Sequence, residues 1–317
     1  VALLALGIAY PQALPLAAIA AASIAAYLLA AEGAYFQGTE KILEASLVQP
    51  AFAFARLGFV VLLVWLGLGL LGGSMSLLAG AILAFAILLI PILRLGPGKP
   101  YPVSLRGQFG RVLITSIFLT LFMNLDLFAV RLFMGPHDAG IYNTASITSR
   151  ILYYIAAGLV VVLVPQSMRA AGDRGRQMAM LGLSMLLLLP VLGFFVSFNA
   201  GIINIFYTAQ FSAAAGPFTV LSAAMFLFSV FFLLVNVMWA NGDERTPFLM
   251  SAGILPLQIA LLLVAVPSLG GMGAAIATLA TSAIALSCGL FMFLRTKPQG
   301  INSRPAPAGK VSAPSYS

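Results

Sequence analysis

"LFMNLDLFAVRLFMGPHDAGIYNTASITSR", Leu121–Arg150, sets Asp126, Arg131 and Arg150 inside runs of apolar residues. Elsewhere the spans largely avoid charge: 62% of the 317 residues are hydrophobic and only 8% are charged, with a mean hydropathy of +1.07. A soluble domain of that composition would expose more apolar surface than water tolerates. The chain reads instead as a polytopic membrane protein. Only helices and closed barrels satisfy their backbone polar groups in lipid, and the two-residue alternation of barrel strands is absent, so the fold class is all-α.

Working outward from that stretch, cuts at charge, Gly and Pro clusters predict nine membrane spans, each near the roughly 20 residues that cross a bilayer as helix. They are 13–36, 47–70, 74–95, 108–133, 140–164, 178–199, 214–239, 247–266 and 272–294. Residues 1–10 are apolar but too short to span, and the tail after Arg295 is small, polar and Pro-containing, as a disordered segment would be.

The loops alternate in charge. One set carries Lys41; Arg94, Lys99, Arg106 and Arg111; Arg169, Arg174 and Arg176; Arg245; and Arg295, Lys297, Arg304 and Lys310, which are 13 of the 16 basic residues. The opposite set (71–73, 134–139, 200–213, 267–271) carries none. The positive-inside rule puts the first set, and with it the C-terminus, in the cytoplasm of a multi-pass protein. The net charge of +8 is then an orientation signal rather than a nucleic-acid footprint, because the basic residues sit singly in short loops.

Two short patterns recur in order. "YFQGTEK" at Tyr35–Lys41 matches "WANGDER" at Trp239–Arg245, and "LGGSMSLLAGAILA" from Leu71 resembles "LGGMGAAIATLATS" from Leu269, at offsets of 204 and 198 residues. Six spans lie between matched points, and an even number preserves orientation, so the halves would be parallel repeats. The expected organisation is twelve spans in two parallel six-helix lobes. Nine are visible: residues 1–95 hold the last three spans of a first lobe, 96–106 a cytoplasmic linker, 107–297 a complete second lobe and 298–317 the tail, with three further spans expected upstream.

In that layout the chain resembles the oligosaccharide and polysaccharide (O-antigen-type) flippase branch of the multidrug/oligosaccharidyl-lipid/polysaccharide exporter superfamily. The likeness is carried by Asp126 after the linker, "GIYNTA" (Gly140, Tyr142, Ala145) opening the next span, "VPQSMRAAGDRGR" with Pro165 and Ser167 closing it, "WANGDER", and "GGMGAAIATLA". The resemblance implies a fold like that of the multidrug exporters and a flippase of the bacterial cytoplasmic (inner) membrane. Such a protein carries a lipid-linked oligosaccharide for cell-envelope polysaccharide or lipopolysaccharide synthesis, among membrane lipids and polysaccharide assembly proteins.

A charge near the bilayer centre costs about 2.5–3.5 kcal/mol on insertion scales, so such residues face protein or water. At 1.5 Å per residue Arg150 lies roughly 15 Å, and Asp126 roughly 12 Å, from the outer ends of sequential antiparallel helices, depths at which they can pair. Arg56 lies roughly 14 Å into its span from the cytoplasmic side. Tyr142, Ser146, Ser149, Arg150 and Tyr153 share one helical face, and Ser116, Thr120, Asn124 and Arg131 form a stripe on the preceding helix. Both faces read as walls of an aqueous cavity. Arg150 and Arg56, with Asn124, Tyr142 and Ser146, are the predicted substrate contacts, since guanidinium groups match the oxygens of a diphosphate-linked head. Arg131 fits that role or snorkelling to the interface equally well, and Asp126, off the stripe, is expected to form a gating or structural pair.

No phosphate-binding glycine loop, metal-ligand cluster or catalytic triad is recognisable, so neither an enzyme nor a cofactor is expected. Cys288 is the single cysteine and excludes an internal disulfide. His137 sits in the outer turn and reads as solvated. Two rival readings remain: a cation-coupled multidrug exporter, which should carry more intramembrane acid than base, and a glycan polymerase or ligase, which needs a large outer loop with catalytic residues.

Overall fold

The computed structural model describes residues 13–38, 41–93, 106–170 and 173–295. The apolar 1–10 segment, nearly all of the 96–106 linker and the 298–317 tail lie outside the described residues. The chain divides into two compact units, Val1–Pro102 and Val103–Ser317.

The first unit holds α1 (Ala13–Gly38), α2 (Ile42–Trp65) and α3 (Gly69–Leu93). At 24 to 26 residues each they reach about 36–39 Å, enough to cross the roughly 30 Å hydrocarbon layer. Apolar attraction does not drive helices together in lipid, so close packing by small residues takes its place. The buried face of α3 accordingly includes Gly72, Ser74, Ser76, Gly80, Ala81 and Ala84. Gly80 sits against the α2 backbone: a Cβ there would lie 2.9 Å from the Arg56 Cα and nitrogen. Gly80→Leu should force α2 and α3 apart, destabilising the unit by about 1–3 kcal/mol, readable as a lower midpoint of denaturant unfolding. An unchanged midpoint would contradict this packing.

The second unit begins with α4 (Arg106–Phe122) and α5 (Leu125–Phe133), which together make one span bent by 41°. Gly135 is extended and Pro136 opens α6 (Pro136–Ser149), the helix position where a missing N–H costs nothing. There follow α7 (Ile151–Arg169), α8 (Arg174–Ser197), the short α9 (Asn199–Phe206), a 3₁₀ turn (Ala209–Ala214), α10 (Ala215–Ala240) and α11 (Arg245–Arg295). Asp173 caps α8, its carboxylate accepting from the Arg176 N–H at 3.0 Å. The central helix is α10, which packs against α6, α7, α8 and α11; Phe228 on it stacks on Phe122 at 4.9 Å and 6°.

The repeated Gly-and-acid pattern has a structural meaning at its second copy. Gly242 takes φ 80° after α10; its N–H donates to the Trp239 carbonyl at 2.9 Å and that of Asp243 to Met238 at 3.0 Å, the hydrogen-bond pair of a left-handed helix stop. The Asp243 carboxylate then accepts from the Thr246 N–H at 3.0 Å and starts α11. "WANGDER" is thus a stop–start signal between two spans.

Helix α11 is a hairpin rather than one rod. Its 51 residues would reach about 77 Å if straight, but Gly270 leaves the helix at φ 61°, ψ −141°. A Cβ on Gly289 would lie 3.2 Å from Met250 Cε, residues that a straight helix would hold about 58 Å apart. The two limbs, 245–269 and 271–295, therefore fold back on each other. Seven helices are long and apolar enough to cross a membrane, the bent α4–α5 pair makes an eighth, and the hairpin divides one of the seven, so nine spans lie among the described residues. The protein is an all-helical, multi-pass membrane protein.

Candidate functional site

One span of the second unit breaks between residues 122 and 125, and Arg150, from the neighbouring span, reaches into the break. The break is at Met123–Asn124, between α4 and α5, whereas at Arg150, between α6 and α7, the helical bonding runs through: its N–H donates to the Ser146 carbonyl at 3.2 Å and its carbonyl accepts from the Tyr154 N–H at 3.0 Å. A break strands backbone groups that a continuous helix would pair, and in lipid each must find another partner. In an unbroken helix the Met123 carbonyl would accept from the Leu127 N–H. Here Leu127 donates to Asp126 Oδ1 at 2.8 Å, and Met123 accepts from Arg150 Nη2 at 2.5 Å. The Phe122 carbonyl, which would take the Asp126 N–H, accepts from Gln258 Nε2 at 3.0 Å. The Thr120 carbonyl accepts from Asn124 Nδ2 at 2.7 Å, and Asn124 Oδ1 accepts from Arg150 Nη1 at 3.2 Å.

Asp126 and Tyr142 tie the same two spans together nearer the α5–α6 turn. The Tyr142 hydroxyl donates to Asp126 Oδ2 at 2.8 Å, and both residues are 1% exposed. The Arg150 guanidinium is turned to the Met123 carbonyl and Asn124 rather than to Asp126. Gly271 leaves room for the phenol ring, since a Cβ there would meet Tyr142 Cδ2 at 3.1 Å. Among the described residues, buried Arg150 Nε and Gln258 Oε1 have no hydrogen-bond partner.

The structure distributes the predicted contacts over two environments. Arg150, Asn124, Tyr142, Ser146 and Asp126 gather around the break; Tyr142 and Ser146 are buried at 1% and 2% exposure, and Arg150 and Asn124 are half-buried. Ser149, on the same predicted face, is also buried, with its hydroxyl on the Ser146 carbonyl at 2.9 Å. Arg131 is exposed in the last turn of α5, and Arg56 is exposed on α2 in the other unit. Ser116 and Thr120 are exposed as well, each hydroxyl bonded to a carbonyl of its own helix, Val112 at 2.9 Å and Ser116 at 2.8 Å. His137 is exposed.

Sequence reasoning missed two residues. Gln258, fully buried, is a lone amide in an apolar span, and that isolation was its signal. Glu32, 4% exposed with neither carboxyl oxygen hydrogen-bonded among the described residues, lies near the end of a span, where an acid passes for an interfacial residue.

No protein-family model matches this chain, and no curated protein matches it in sequence. Among solved structures it is similar to the lipid II flippase MurJ in an inward closed conformation, at 15% identity, with a TM-score of 0.62. The chain has a MurJ-like fold. The likeness covers 84% of this chain and 60% of the MurJ chain, so this chain spans about three fifths of the length of the structure it matches. At that identity, the MurJ-like fold agrees with the helical, multi-pass architecture read from the sequence.

Proposed function

We propose that the chain works in a flippase of the bacterial cytoplasmic membrane, carrying a lipid-linked oligosaccharide with an anionic head from the inner to the outer leaflet by alternating access. The observation that carries the reading is Arg56. It is exposed on α2, nine residues from Trp65 and fourteen from Ile42, or about 14 and 21 Å from the two ends. A guanidinium at that depth must face water or protein rather than acyl chains. Arg131, exposed on the second unit, offers the same kind of guanidinium donor for a phosphate-linked head. The MurJ-like fold supports the same reading, because the protein it resembles is a flippase.

In this reading residues 1–95 and 107–297 belong to two lobes, joined by a 96–106 linker and followed by a cytoplasmic tail at 298–317. Arg56, Arg131 and Asn124 meet the substrate first; Arg150, Tyr142 and Ser146 meet it when the second lobe rearranges, and Asp126 gates that change. The work is transport rather than catalysis, in company with membrane lipids and polysaccharide assembly proteins. A cation-coupled multidrug exporter is the second reading, favoured by the buried acids Glu32 and Asp126.

The test reconstitutes the chain in vesicles with a fluorescent polyprenyl-diphosphate disaccharide in one arm and a cationic dye in the other. Flipping of the anionic lipid should fall at least about tenfold in Arg56→Ala, the cost of one charge-assisted contact, and less in Arg56→Lys. Transport of the dye alone would support the exporter. Anionic-lipid flipping unaffected by Arg56→Ala would remove the substrate role.

A further inference from the structure

Glu32 lies six residues before the end of α1, about 9 Å along the axis from Gly38. It belongs to the buried stripe Ala22, Ala25, Leu29, Glu32 and Phe36, so its carboxyl group faces the inside of the unit. Among the described residues its surroundings there are apolar. On α2, Val48 stands level with it: a Cβ on the adjacent Gly33 would lie 3.8 Å from both Val48 methyls, and Val48 is 3% exposed. On α3 the register follows from the other end of the helices, where Pro15, Leu16 and Ile19 line one pocket with Leu70, Gly73, Ser74 and Leu77. That offset of 55 to 58 residues sets Leu88, itself buried, at the depth of Glu32.

The titratable groups of all three helices stand elsewhere. On α1, Tyr27 and Tyr35 are 74% and 40% exposed. Ahead of and on α2, Lys41 and Glu44 are half-buried at its start, roughly two turns and one turn nearer the membrane edge than Val48. Arg56 is exposed and about 12 Å deeper than Val48. Helix α3, residues 69–93, has no titratable side chain. None of these groups hydrogen-bonds the carboxyl.

An ionised carboxylate without partner or water is far costlier to enclose than the neutral acid, and such a group takes up a proton instead. We propose that Glu32 is a proton-binding site that governs the packing of α1 on α3: protonated, it lets the stripe close, and on losing its proton it must reach water, which parts the helices. The packed state holds the proton more tightly than the parted state, so rising pH drives opening. This switch goes beyond the transport reading and does not depend on it.

The test uses the full chain in liposomes and involves no transport. Infrared spectra at neutral pH should contain a protonated-acid carbonyl band that is absent in Glu32→Gln and present in Asp126→Asn. Deuterium exchange of residues 25–36, corrected for the intrinsic rate, should show opening that rises about tenfold per pH unit through the titration, as one proton requires. Glu32→Gln and Glu32→Leu, both permanently uncharged, should stay packed with no such rise. An acid band that survives Glu32→Gln, or vanishes only in Asp126→Asn, would overturn the proposal. So would the same pH dependence of exchange in wild type and both variants.

Discussion

Arg150→Ala should destabilise the second unit by about 1–3 kcal/mol, because the Met123 carbonyl and Asn124 Oδ1 lose their guanidinium donor and a desolvated acceptor without a donor costs about that much. Polar bonds between membrane helices average about 0.6 kcal/mol when measured directly, so the lower half of the range is the better expectation. Arg150→Lys keeps the charge but has no fork with which to serve both acceptors, and should recover only part of the loss. Denaturant unfolding in detergent measures the stability, and the vesicle flipping assay measures transport. A lower unfolding midpoint with flipping lost in parallel would mean that Arg150 acts by splinting the break between α4 and α5. An unchanged midpoint with flipping abolished would show instead that the guanidinium is free to serve substrate, contrary to the geometry described above.

Gly273→Ala should prevent the second unit from folding. A Cβ at Gly273 would overlap the carbonyl group of Ala265 and approach Leu269 Cβ at 3.0 Å, and a backbone carbonyl at a tight reversal cannot swing aside as a flexible side chain can. The expected cost exceeds about 3 kcal/mol, the upper range for overpacking, and its readout is the yield of monodisperse protein. Gly271→Ala is the internal comparison: its Cβ meets the edge of the Tyr142 ring at 3.1 Å, which can shift by tenths of an ångström. It should fold, with a lower unfolding midpoint. Equal yields of wild type and Gly273→Ala would mean that the hairpin turns elsewhere.

Much of the span layout was legible in the sequence because lipid imposes one-dimensional rules. The boundary near residue 270 was readable from Pro267, Gly270 and Gly271, although hydrogen-bond pattern alone runs α11 unbroken from Arg245 to Arg295. Helical periodicity also grouped Tyr142, Ser146, Ser149 and Arg150 on one face. It read that face as the wall of an aqueous cavity, whereas Tyr142, Ser146 and Ser149 are buried and Arg150 half-buried. The helix that carries Tyr142 and Ser146, α6, packs on α10 and α11, which begin only at residues 215 and 245. Nor could periodicity foresee Arg150 reaching the Met123 carbonyl, since that carbonyl is free to accept only because the neighbouring span breaks there.

The sequence by itself determined that the chain lies in a membrane as helices and where most of them begin and end, because the requirement to satisfy backbone groups in lipid acts locally on runs of about 20 residues. Only the tertiary structure decided what each charge does. The outcome for Asp126, Arg150 and Glu32 rests on which donors, carbonyls or apolar walls other helices bring to the same depth, and no local pattern encodes that meeting.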